Sequence, residues 1–145
     1  MDERAIDYQQ VAEDALNENE MTFHVEHKED HALFTCPMTS DRSPGFNLKL
    51  RISDDGGAKI WTYLLSNIKE DKYLPVLKTL NHLNDSYRFI KLSIDKDNDV
   101  CAEYDFFLFG DEDLIGKQLM SILFLFSDIV DTCLPDILKT VWDNE

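Results

Sequence analysis

FNLKLRISDDGGAKIWTYLL, residues 46–65, reads as a β-hairpin, and the rest of the fold follows from it. Phe46, Leu48, Leu50 and Ile52 alternate with Asn47, Lys49, Arg51 and Ser53, the period of two expected of a strand with one buried face and one wet face. Asp54-Asp55-Gly56-Gly57 supplies the turn, because an Asp-Gly centre tolerates positive φ. A return at Asp55-Gly56 sets Leu50 opposite Trp61, Leu48 opposite Tyr63 and Phe46 opposite Leu65. That register predicts that the Trp61 and Tyr63 rings lie in the core.

Upstream, Thr22 to Lys28 and His31 to Cys36 flank Glu29-Asp30. A two-residue turn there sets Lys28 against His31, Val25 against Phe34 and Phe23 against Cys36, so that one face is apolar. Pro37 to Gly45 reads as a polar loop. Before these strands Tyr8, Val11, Ala12, Ala15 and Leu16 recur at three- and four-residue steps, which predicts an amphipathic helix with Asp2 as its N-cap.

Downstream, Glu70 to Asn84 returns to helical spacing through Val76, Leu77, Leu80 and Leu83, with Pro75 near its start. The helix is expected to stop near Asn84-Asp85-Ser86, with an Asn in the left-handed cap conformation. A second hairpin joins Tyr87–Ile94 to Val100–Phe109. A two-residue turn would set Ile90 against Asp105 and Leu92 against Glu103. A three-residue loop, Lys96-Asp97-Asn98, sets Ile90 against Tyr104, Leu92 against Ala102 and Ile94 against Val100, and makes Asn98 its left-handed residue. Asp111-Glu112-Asp113 opens a last helix with carboxylates at its positive end. Its apolar rows run from Ile129 through Cys133 and Ile137 to Trp142 without a change of phase at Pro135, so a kink or a restart in nearly the same direction is expected there. The order is helix, three or four strands, helix, two strands, helix. This predicts an α+β fold of two layers, an antiparallel sheet packed against helices, in one domain spanning 1–145.

The 145 residues carry 29 acids against 14 Lys and Arg, a net charge of −15. Ten acids and two bases fall in residues 1–30, eleven and ten in 31–110, and eight and two in 111–145. So acidic a surface argues against nucleic acid as a partner, whose affinity comes mostly from basic side chains. The excess sits on the terminal helices, as solvated faces or as an acidic contact surface. The apolar run Leu119–Phe126 is far short of the roughly 20 residues that span a membrane, so no membrane partner is expected. The acidic N-terminus does not read as a secretory signal. Cys36, Cys101 and Cys133, all within apolar stretches, fit reduced core thiols, and a cytoplasmic location is expected.

Few residues invite chemistry. Asp95, Asp97 and Asp99 resemble the opening of a calcium loop, but the sixth position is Val100 and the twelfth Phe106, so the turn glycine and the bidentate ligand are missing. His24 and His27 fall on opposite faces of their strand, and no zinc-ligand spacing accompanies them. No nucleophile elbow, phosphate loop, metalloprotease helix or Cys-x-x-Cys occurs, so neither a cofactor nor catalysis is expected. Phe89, Phe107 and Phe109 differ from the other aromatics. They are expected on the outer sheet face with Lys91, Ser93, Glu103 and Asp105, where apolar rings among charges suggest a contact with another polypeptide.

Leu80-Asn81-His82-Leu83-Asn84, then a strand, the acidic tip Asp95–Asp99, a second strand and a helix holding Cys133-Leu134-Pro135, resemble the bacterial YbjN-like family over about residues 20–140. That family is described as sensory-transduction regulators. The resemblance implies the fold of the type III secretion chaperones, which are small, acidic, usually dimeric and hold an unfolded client segment. Asn81 and Asn84 share a helix face near carbonyls unpaired at its end, and are expected to tie that end to the next strand. Together these readings lead to a non-enzymatic, protein-binding regulator or adaptor, homodimeric through the face of Phe89, Phe107 and Phe109. The alternatives are a chaperone-like holder of an extended client and, ranked lower, an enzyme with an unrecognised site.

Overall fold

The computed structural model describes residues 5–39, 41 and 45–143. Its order is α1 (Tyr8–Glu18), β1 (His24–His27), β2 (His31–Met38), β3 (Phe46–Ser53), β4 (Gly57–Leu65), α2 (Glu70–Ser86), β5 (Lys91–Ile94), β6 (Val100–Phe107) and α3 (Glu112–Trp142). The expected α+β order holds, with four strands before the middle helix. All six strands join one antiparallel sheet in the order β1-β2-β3-β4-β6-β5. Because α2 intervenes between β4 and β5, the chain crosses before the second hairpin forms, so β6 pairs with β4 and β5 becomes an edge.

Alternation explains the layering. Phe34, Cys36, Leu48, Leu50, Ile52, Ile60 and Ala102 are buried on one face of the sheet. The helices supply the other half of that core through Leu16 of α1, Val76 and Leu80 of α2, and Ile115, Leu123, Phe126 and Cys133 of α3. Burying one such aliphatic or aromatic side chain stabilises by about 1.5–3 kcal/mol. Thr62 is the buried polar side chain among the described residues, and its Oγ1 donates to the Asn47 carbonyl at 2.8 Å. α1 and α2 both pack on α3, and Gly116 of α3 faces Ala15 of α1, where an added Cβ would lie in ordinary contact, 3.5 Å from the Ala15 Cβ.

Two hairpins have the expected registers. Val25 faces Phe34 across the Glu29-Asp30 turn, which closes with the Lys28 N–H on the His31 carbonyl at 2.8 Å. Leu92 faces Ala102, Ile94 faces Val100, and Asn98 is left-handed with φ 62°.

The central hairpin departs by one residue. Leu50 pairs with Ile60, and Trp61 pairs with Lys49 on the opposite face. The loop holds three residues rather than two: Gly56 N–H donates to the Ser53 carbonyl at 3.0 Å and Gly57 N–H to Asp55 Oδ1 at 2.9 Å. Shifting a strand by one residue turns every side chain over. Trp61 and Tyr63 are therefore outside the core, and Ile60 and Thr62 take the inward positions.

Smaller corrections concern element ends. Asp7 caps α1 by accepting from Gln10 N–H at 3.1 Å, and Asp2 lies outside the described residues. Pro37 and Met38, expected in a loop, extend β2 opposite Asn47 and Phe46. The rest of that expected loop includes residues 40 and 42–44, which are outside the described residues. α2 runs to Ser86, and the left-handed residue after it is Phe89, with φ 70°, rather than an asparagine. α3 is one helix through Pro135, in keeping with the unbroken apolar phase, and Asp111 caps it by accepting from Leu114 N–H at 2.8 Å.

Candidate protein-contact surface

The three helices cover one face of the sheet. Across the middle of the other face run Thr35 from β2, Asn47, Lys49 and Arg51 from β3, Lys59, Trp61 and Tyr63 from β4, and Cys101, Glu103, Asp105 and Phe107 from β6. Phe107 is 64 % exposed and Tyr63 47 % exposed, and Phe109, beyond the end of β6, is 68 % exposed. Phe107 rims a shallow depression of about 360 Å³ whose other walls include Arg51, Asp55, Lys59 and Asp105. One ion pair lies beside these rings. Lys59 Nζ lies 3.2 Å from Glu103 and 5.6 Å from the centre of the Trp61 ring. Burial pulls the Lys59 ammonium down, but the carboxylates of Glu103 and Asp105 outweigh it and hold it above the ordinary lysine range. Lys49 Nζ donates to Thr35 Oγ1 at 3.0 Å.

Phe89 does not join Phe107 and Phe109. Its left-handed backbone re-aims the side chain, and its ring lies 5.6 Å from that of Tyr104. Tyr104 pairs with the buried Ile60 and is therefore on the helix side, where it stacks on Phe106 at 4.7 Å. The expected trio is thus split between the two faces. Trp61 and Tyr63, expected inside, stand on the outer face instead. No side-chain pattern marks them, because their outward placement follows from the closure of the three-residue Asp54–Gly56 loop.

The two asparagines also separate. Asn84 Nδ2 donates to the Leu92 carbonyl at 2.9 Å, and its Oδ1 accepts from Leu92 N–H at 2.7 Å. Lys91 Nζ donates to the Asn84 carbonyl at 2.9 Å and to the Tyr87 carbonyl at 2.6 Å, filling acceptors that the end of a helix leaves open. Asn81, one turn earlier, is exposed and lines a groove of about 940 Å³ between α2 and β5.

The acidic tip has a structural employment. Asp95 Oδ1 accepts from Asp97 and Asp99 N–H at 2.9 and 3.0 Å, and Asp99 Oδ1 accepts from Asn67 N–H at 2.8 Å, pinning the β4–α2 connection to the hairpin. No group of three or more His, Cys, Asp or Glu among the described residues is placed to hold a metal ion. All three cysteines are buried and free. Burial pushes Cys36 up to about 11 and Cys101 to about 12, and raises Cys133 as well, so each is a thiol rather than a thiolate near neutral pH. No helix among the described residues is long and apolar enough to cross a membrane.

A family model named YbjN, described as "Putative bacterial sensory transduction regulator", matches residues 9–139. Two solved structures share the fold. The crystal structure of the Yersinia pestis type III secretion chaperone SycH in complex with a stable fragment of YscM2 is 17 % identical at a TM-score of 0.50, over 87 % of this chain and 98 % of that one. The structure of YbjN from E. coli, described as "a putative transcription regulator", is 13 % identical at a TM-score of 0.56, over 83 % of this chain and 87 % of that one. No curated protein matches the sequence.

Proposed function

We propose a function on the premise that this chain belongs to the YbjN family. It is a non-enzymatic, protein-binding regulator or adaptor that grips its partner, and a second copy of itself, with the uncovered face of the sheet. The observation that carries this reading is the exposure of Phe107 and Tyr63 on a sheet that the helices cover on one side only, with Phe109 exposed just beyond the end of β6. Rings left in water over a sheet face gain about 25 cal/mol for each Å² that a partner removes from solvent. The charge distribution favours the same face. The chain carries −15, but across the middle of the outer face Lys49, Arg51 and Lys59 offset Glu103 and Asp105, while α1 and the first turn of α3 carry Asp14, Glu18, Glu112 and Asp113. A dimer joined face to face keeps the acidic helices of its two copies apart.

A second reading, a holder of an extended client segment, is favoured by the edge at β1. The Lys28–His31 hydrogen bond fixes the alternation of the ladder, so Val25 and His27 turn their N–H and C=O groups away from β2. An open edge of this kind accepts an added strand. The SycH neighbour is a chaperone in complex with a fragment of another protein, which fits either reading.

Light scattering during size-exclusion chromatography tests the first reading. The wild-type chain is expected to elute as a dimer, and Phe107→Asp and Phe109→Asp to weaken it at least tenfold, while Phe89→Asp does not. A wild-type monomer at high micromolar concentration overturns the dimer, and a dimer indifferent to Phe107→Asp moves it off this face. Amide exchange that slows at Val25 and His27, rather than around Phe107, in the presence of a captured partner favours the client holder.

A further inference from the structure

The charges on the outer face are sorted by strand. β3 presents Lys49 and Arg51 there, β6 presents Glu103 and Asp105, and β4 lies between them with Lys59, Trp61 and Tyr63. Strand pairing also sets these residues in rows across the sheet. One row is Arg51-Lys59-Asp105 and the next is Lys49-Trp61-Glu103. Beyond them, at the hairpin end, Gly57 pairs with Phe107 and lies beside Ser53. Arg51 and Asp105 are exposed, and neither stands in an ion pair among the described residues. Within one chain they are two strand spacings apart, about 10 Å, with Lys59 between them.

Two identical copies that close on each other are related by a two-fold axis, and in aligned sheet packing their strands run within about 30° of each other. For sheets joined face to face, that leaves two directions for the axis in the plane of contact. An axis across the strands lays each strand on its own copy, so the cations of β3 meet cations and the carboxylates of β6 meet carboxylates. An axis along β4 lays β3 of each copy on β6 of the other. Every charge of β3 then meets a charge of opposite sign in its own row, and each such contact occurs twice. Trp61 and Tyr63 meet their own copies on the axis, while Glu103, 3.2 Å from Lys59 Nζ, draws that ammonium off it. Phe107 meets Ser53, the smallest outward side chain of β3, at the depression of about 360 Å³ that Ser53 and Gly57 help to line.

We infer that two copies of this chain pair about a two-fold axis along β4, with Arg51 of one copy on Asp105 of the partner subunit and Lys49 on Glu103 of the partner subunit. The arrangement rests on the outer face being the dimer contact, and adds to it the direction of the axis and the side chains that fix it. Charge complementarity of this kind selects one docking geometry, because like charges brought together oppose the other.

Arg51→Glu and Asp105→Arg, made in separate chains, test the axis by light scattering during size-exclusion chromatography. With the axis along β4, each variant alone opposes like charges at two places, and a dimer weaker than wild type by roughly tenfold or more is expected of each. In an equal mixture the introduced glutamate faces the introduced arginine and the native Arg51 faces the native Asp105, so the mixture is expected to recover the wild-type dimer. Single variants that dimerise more tightly than wild type place the axis across the strands and overturn the inference. Variants indifferent to the change, or a mixture as weak as its parts, overturn it as well. A wild-type monomer at high micromolar concentration overturns the outer face itself, whereas a wild-type dimer that Phe107→Asp weakens and that mixing does not rescue overturns the axis alone. Where either variant loses its circular dichroism, Lys49→Glu and Glu103→Lys take the same two roles one row along, and the same outcomes decide.

Discussion

Gly56 decides which side chains β4 shows to solvent. Its φ of 91° lies in the left-handed region, and a Cβ there would sit 3.0 Å from Cζ of Tyr8. Gly56→Ala therefore brings both backbone strain and a clash with a ring, and is expected to cost about 1–3 kcal/mol, lowering the thermal midpoint by several degrees in a calorimetric scan. An unchanged midpoint would mean that the loop relaxes freely. The same residue shows where the sequence is legible. In the 95–99 hairpin the wrong register puts Asp105 and Glu103 opposite Ile90 and Leu92, so polarity alone selects the right one. In the 54–56 hairpin aromatic and aliphatic residues alternate along β4, so Trp61 and Tyr63, or Ile60 and Leu64, make an equally apolar face. The choice rests on loop closure by Gly56 N–H, which no pattern of side chains records. The same ambiguity reaches the outer face: the outward position of Phe107 follows from the parity of β6, whereas those of Trp61 and Tyr63 do not follow from any parity. Phe89 was misplaced because a left-handed phenylalanine is uncommon and carries no mark in the sequence.

Among the elements, α3 was the easiest to read and carries the clearest anomaly. Its 31 residues keep one apolar phase from Ile115 to Ile137, whose buried side chains pack against α1, α2 and the sheet. That is why Pro135 does not turn the chain. Proline nevertheless removes one helical hydrogen bond and crowds the carbonyl one turn back, a penalty of about 3 kcal/mol relative to alanine in a helix interior. About 1 kcal/mol returns through the stiffer unfolded chain. Pro135→Ala is thus expected to stabilise the protein by about 1–2 kcal/mol, seen as a higher denaturant midpoint at unchanged slope. A lower midpoint would show that the ring, which borders a depression with Leu138 and Trp142, contributes packing that outweighs its cost to the helix. The end of α2 was less legible than its middle. The Leu80 and Leu83 spacing fixes the helix, but its final turn depends on Lys91 and Leu92, residues of the next strand.

At the scale of the molecule the charge partition was visible in the sequence, and the juxtaposition of the acidic segments was not. The fold brings the first helix against the start of the last: α1 lies along the first half of α3, and a groove of about 460 Å³ between them is rimmed by Asp14 and Glu18 on one side and Glu112 and Asp113 on the other. Lys117 answers only part of this, through its 3.0 Å pair with Asp113. Both segments must pack against each other for α1 to bury Val11, Ala12, Ala15 and Leu16, so the repulsion is a cost of folding. Screening should therefore stabilise the native state. Raising sodium chloride from about 0.05 M to about 0.5 M shortens the screening length from roughly 14 Å to about 4 Å. The thermal midpoint is expected to rise over that range, and Asp14→Asn with Glu18→Gln to raise it at low salt and to remove part of the salt dependence. Glu112 and Asp113 are left in place because they also face the positive end of α3, where a carboxylate stabilises by about 0.3–1 kcal/mol. If the midpoint is flat with salt, or the double variant keeps the full dependence, the acidic faces do not oppose each other and the excess charge acts only on partners in solution.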